Sequence, residues 1–179
     1  IWVWGLGPNE KFYWLDGIRK KMDPTKPFFH DQVYMIVKRW EDFSQGVVEV
    51  RVEQMGGSVW AGLIEKELRS RGIYIRVVTC NDIGIRTGKF NTGKKDRIYQ
   101  RWSQLLSSGS IVFPKPLREG GYGIMCSLTE DLPQEDLVTY MVDNEIDAFP
   151  RSRFDDGLDS GALVKDEKAN KEFPLQFGI

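Results

Sequence analysis

Apolar and polar positions change their period several times along the chain. Residues 1–6 and 11–18 are dense in aromatic and β-branched side chains, and Gly7-Pro8-Asn9-Glu10 between them has turn composition, so the pattern predicts an antiparallel hairpin. After a break at Asp23-Pro24-Thr25-Lys26-Pro27, Val33, Ile36, Val37 and Trp40 recur at helical spacing. They predict a first amphipathic helix. Residues 47–52 read as a strand by β-branched content, Trp60, Leu63, Ile64 and Leu68 share one face of a second helix stopped by Arg71-Gly72, and 73–79 form another strand. Strand, helix and strand with short joints predict a right-handed βαβ unit.

A glycine-rich, basic segment follows at 81–93, leading to Lys94 and Lys95. Gly88 to Lys94 satisfies G-x-x-x-x-G-K, but Lys95 stands where a nucleotide-binding loop needs Ser or Thr to hold magnesium. The segment reads instead as a basic loop able to approach phosphates, or as a solvated loop. A third helix carries Ile98, Trp102, Leu105 and Leu106, and a short strand covers 110–113. After an irregular insertion, a helix from Gln134 presents Leu137, Tyr140 and Met141, and Phe149-Pro150 then turns the chain into an acidic stretch. The tail from Lys165 is charged, then contains Pro174 and Gly178, so residues 1–164 are expected to be the domain and 165–179 an extension or linker.

The 179 residues suit one domain with a sizeable core, and 28% charged with 41% hydrophobic residues argues against wholesale disorder. The net charge of −1 means that any polyanion site must be a local patch. Cys80, Cys126 and His30 have no metal-ligand spacing, which excludes a structural zinc site. No apolar run approaches the roughly 18 to 20 residues of a membrane span, and no signal peptide is visible, so an intracellular, membrane-free setting is expected. The first residues are already in strand-like register without an initiator methionine, which suggests a polypeptide that continues upstream.

Candidate chemistry concentrates in Phe149-Pro150-Arg151-Ser152-Arg153-Phe154-Asp155-Asp156-Gly157-Leu158-Asp159. If Asp156 opens a helix, Asp159 lies three residues on along the same face, where the two carboxylates repel unless a cation joins them. Magnesium or manganese would accept such hard oxygen ligands. Read alone, the same acids also serve as an N-cap. Glu53, at the end of a central strand and before Gly56-Gly57, sits where ligands bind in open α/β sheets, or else is a rim glutamate in an ordinary ion pair. Taken with Asp155, Asp156 and Asp159 it makes a set suited to two-metal phosphodiester hydrolysis. Asp96 reads as a helix cap, and Trp2, Trp4, Tyr13 and Trp14 as packing residues rather than base-stacking ones.

These pieces in this order resemble the C-terminal nuclease domain of the large terminase subunit of tailed bacteriophages. The resemblance rests on Phe12-Tyr13-Trp14-Leu15-Asp16-Gly17-Ile18-Arg19 with Met22 and Thr25, on Val52-Glu53-Gln54, on Lys95-Asp96-Arg97-Ile98 through Ser108-Gly109 to Pro114, and on Phe149-Pro150 through Asp159. It implies an α/β, RNase H-like mixed sheet, an antiparallel meander plus parallel strands, flanked by helices. It further implies a metal-dependent endonuclease that cuts concatemeric double-stranded DNA, with Glu53, Asp155 and Asp156 catalytic, the same three and Asp159 holding Mg2+ or Mn2+, and Lys89, Lys94, Lys95 and Arg97 guiding DNA. The implied partners are an ATPase motor domain of the same polypeptide, the portal and the small terminase subunit, in a packaging complex in the host cytoplasm. The family's first acidic motif belongs on a strand before Ile1, and Asp16, later in the meander, does not replace it. The alternatives are a resolvase or transposase core of RNase H-like type, and a non-catalytic DNA- or portal-docking module.

Overall fold

The predicted hairpin forms from β1, Trp2–Leu6, and β2, Phe12–Gly17, paired antiparallel with Leu6 opposite Phe12. The computed structural model describes residues 1–7, 9–20, 22–44, 48–52, 57–79, 94–124, 136–153, 155–162 and 175–178, with backbone alone at 43, 44, 48, 57, 58, 94, 97, 156 and 175–178. Val3 stands opposite Asp16 and Trp4 opposite Trp14, so Leu15 is an extra residue in β2, a bulge. Helix α1, Pro27–Ser44, starts on a proline, which loses no hydrogen bond in a first turn. Its Val33, Ile36 and Val37 are buried, while Arg39 and Trp40 donate to Asp16 Oδ2 at 2.7 and 3.0 Å. Asp16 thereby ties β2 to α1.

Strand β3, Val48–Val52, helix α2, Gly57–Ser70, and strand β4, Arg76–Thr79, form the expected parallel unit, with Val50 beside Val77. The buried stripe of α2 is Ala61, Ile64 and Leu68, and Leu63 is exposed, so the apolar face is narrower than the sequence pattern indicates. Helix α3, Lys94–Ser107, likewise buries Ile98, Trp102 and Leu105 but exposes Leu106. Strand β5, Ile111–Val112, adds to β2 in parallel at the sheet edge.

The strand order is β4-β3-β6-β1-β2-β5, where β6 is Leu175–Gly178. Part of the segment expected to be an extension is thus a central strand, antiparallel to β1 and parallel to β3. Four residues carry too little periodicity to announce a strand, and only pairing on both sides makes one. Gly178 lies opposite both Trp2 and Arg51.

Helices cover both faces. Val3, Ile18, Val50 and Val52 pack with α1 and α2 on one face, and Trp2, Trp4, Phe12 and Trp14 pack on the other with α3 and the C-terminal helices. Those are α4, Leu137–Tyr140, continuing as a π-helical turn over Met141–Ile146, and α5, Asp156–Ala162. The second core is an aromatic lattice: Trp4 stacks on Trp14 at 5.9 Å and Trp102 on Phe113 at 5.8 Å, each pair contributing about 0.5–1.5 kcal/mol beyond its buried area. The architecture is a mixed α/β sheet between helices. Among the described residues, no helix is long and apolar enough to cross a membrane.

Candidate acidic site

The acidic stretch becomes α5, seated on the indole floor. Its carbonyl-to-amide ladder begins at Asp155, whose oxygen accepts from Asp159 N at 2.8 Å, so Asp155 and Asp159 bracket the first turn. The close seat requires glycine at two positions one turn apart. A Cβ on Gly157 would lie 2.9 Å from the Trp2 ring, and one on Gly161 would lie 2.5 Å from Trp102 and 3.1 Å from Trp4. From α3, Trp102 Nε1 donates to the Leu158 carbonyl at 2.7 Å and fixes the helix from its flank. Asp159 ends only 2% exposed, whereas Asp155 is half-buried.

Behind this turn lies a carboxylate that the sequence reading passes over. Glu145, on the π-helical turn, is fully buried, and its Oε2 accepts from Leu158 N at 2.9 Å. That amide is one of the first-turn donors of α5 with no partner within the helix. Glu145 satisfies it from outside the helix. The signal was present in the sequence: Glu145 falls four residues after Met141 and eight after Leu137, on the stripe that packs in the core. The surrounding Asp143, Asn144 and Asp147 make the run look solvated, which hides it.

Strand β3 contributes more buried charge. Arg51 Nε meets Glu49 Oε1 at 2.7 Å with side chains 2% and 3% exposed, and Arg76 reaches Glu49 Oε2 at 3.2 Å from the rim. Because Val50 and Val52 face α1 and α2, strand alternation turns Glu49 and Arg51 to the face that α5 covers. Trp2, Gly178 and Arg51 form one row across the sheet.

The predicted residues divide as follows. Asp155 and Asp159 lie on the first turn of α5 and Asp156 opens that helix, while Glu53 follows Val52, the last residue of β3, and lies outside the described residues, as does Lys89. Lys94 and Arg97 fall in the first turn of α3. Lys95 is exposed and donates to the Pro150 carbonyl at 2.7 Å, which brings the start of α3 to the corner preceding α5, where the Phe149–Pro150 peptide is cis. Asp96 is in the first turn of α3, and Trp2, Trp4 and Trp14 are core residues. Among the described residues, no three or more His, Cys, Asp or Glu gather as a metal site. The side-chain donors on α5 are the carboxylates of Asp156 and Asp159 and the Ser160 hydroxyl, all hard oxygens, a chemistry that fits cations such as Mg2+ or Mn2+ better than zinc. No protein-family model, curated protein or solved structure matches the chain.

Proposed function

We propose that the chain is the metal-dependent endonuclease domain of a viral DNA-packaging terminase, RNase H-like in fold, hydrolysing phosphodiester bonds of concatemeric double-stranded DNA. The observation that carries this reading is the seat of α5. The helix that begins with the predicted acids is pressed onto the sheet beside β1, with Asp159 buried, and its first-turn amide is satisfied by Glu145. The strand order also supports it, since β6, β1 and β2 run as an antiparallel trio and β3 and β4 extend the sheet in parallel with β6.

In this reading Glu53, Asp155 and Asp156, with Asp159, hold Mg2+ or Mn2+. When bound, the cations supply an activated water and charge stabilisation at the leaving 3′-oxygen. Asp159 is fixed by its helix and by burial, so it can orient a ligand set without rearranging. Lys95, with Lys89, Lys94 and Arg97, neutralises backbone phosphates and directs the duplex toward the acids. The partners are double-stranded DNA, an ATPase motor domain of the same polypeptide, and the portal and small terminase subunit, within a packaging complex in the host cytoplasm.

The test is plasmid cleavage by the full-length protein in manganese, with Glu53→Gln and Asp156→Asn variants. Cleavage that needs the metal and is lost in both variants is the expected result. Unimpaired cleavage in either variant overturns the assignment, and absence of manganese binding at millimolar concentration, measured by calorimetry, turns the reading to a non-catalytic DNA- or portal-docking module. A preference for branched over linear duplex would point to a resolvase-type nuclease.

A further inference from the structure

We infer that Glu145 is a positioning residue for the acidic helix, holding the first turn of α5 in the pose from which its carboxylates act; this inference rests on the nuclease reading. Three observations converge on it. Glu145 is wholly buried although it is a carboxylate, and buried carboxylates are retained only where they have a specific partner. Its Oε2 accepts from the Leu158 amide, at 2.9 Å, in the middle of the Asp155 to Asp159 turn. It sits on a π-helical turn, in which the hydrogen-bond ladder is widened by one residue, and such turns are rare and frequent at functional sites.

The geometry specifies what Glu145 does. Gly157 leaves room for the carboxylate as well as for Trp2: a Cβ there would come within 3.0 Å of Glu145 Oε2. The first turn of α5 is therefore clamped on three sides, by Trp2 beneath Gly157, by the Trp102 indole N–H on the Leu158 carbonyl, and by Glu145 on the Leu158 amide. Two of those clamps grip the same peptide residue from opposite polarities. A clamp at Leu158 fixes the rotation of α5 about its axis, which sets where Asp155 and Asp159 stand.

The experiment compares Glu145→Ala with Glu145→Gln in the full-length protein. Gln keeps an oxygen acceptor for the Leu158 amide, and Ala does not. The expected result is that Ala weakens manganese binding and cleavage by about tenfold or more, with the metal concentration for half-maximal cleavage rising, whereas Gln restores most of both. Hydrogen exchange at the Leu158 amide should quicken in Ala and stay near wild type in Gln. If Ala lowers only the melting temperature and leaves metal dependence unchanged, Glu145 is merely structural and the inference is overturned. Failure of the nuclease reading is distinguishable, because the wild-type protein would then show no metal-dependent cleavage at all. In that event the Leu158 amide decides: unchanged exchange in Ala would remove any positioning role for Glu145.

Discussion

Replacing Gly161 by Ala sets two known effects against each other. Alanine is favoured over glycine in a helix by about 0.8–1 kcal/mol, so propensity alone predicts stabilisation of α5. The new methyl, however, would be placed 2.5 Å from Trp102 Cζ2 and 3.1 Å from Trp4 Cζ2, separations at which something must move. Both indoles are buried, at 5% and 1% exposure, and Trp102 is held by its bond to the Leu158 carbonyl, so neither is a flexible end that can swing away. Overpacking of this kind costs about 1–3 kcal/mol, which exceeds the propensity gain. The expected outcome is a net loss of up to about 2 kcal/mol, or a melting temperature lower by up to roughly 8 °C for a domain of this size. Gly62 provides the control. It lies in α2, is exposed, and an added Cβ there meets nothing within 4 Å. Gly62→Ala should therefore raise the melting temperature by roughly 1–4 °C, since only the propensity and unfolded-state effects remain. Thermal unfolding followed by circular dichroism measures both. If Gly161→Ala stabilises the protein as Gly62→Ala does, α5 is not seated on the indoles as described.

Three further outcomes follow from the fold. Glu49→Ala leaves Arg51 buried without its 2.7 Å partner and should cost about 3 kcal/mol in urea denaturation, whereas replacing Glu49 and Arg51 together by Met and Leu should cost less than the single change. Deleting residues 175–179 removes the only strand that hydrogen-bonds to both β1 and β3 among the described residues, so cooperative thermal unfolding should be lost, and a sharp transition in the shortened protein would refute the central place of β6. For Asp136, burial pushes the carboxyl up, but donors from Leu117 N, Thr139 Oγ1, Ile124 N and Val138 N outweigh it and hold it below its ordinary 3.8. A depressed folded value means that the contribution is present above the unfolded value and lost as pH falls through the folded one, so the stability deficit of Asp136→Asn should be constant near neutrality and shrink below about pH 4.

The hairpin, the βαβ unit and the helices around Trp102 and Leu137 were legible in the chain because each has a period or a turn signal within a dozen residues. Stripe widths were less so: Leu63 and Leu106 have the spacing of buried residues, yet they are exposed because the sheet covers a narrower arc of their helices. The acids of α5 were legible as a cluster but not in their burial. Nothing local distinguishes Asp159, at 2% exposure, from half-buried Asp155. That difference depends on which side of the helix meets the indoles.

By itself, then, the sequence determined the local elements, the apolar faces and the density of carboxylates after Phe149-Pro150, since these depend on neighbours within one or two turns. Only the tertiary structure decided that Leu175–Gly178 fills the middle of the sheet, that Glu145 grips Leu158 from another helix, and that Gly157 and Gly161 are contact positions rather than helix breakers. Each of these is a pairing between residues distant along the chain or on separate elements, and the chain carries no periodicity across such gaps from which to read which partners meet.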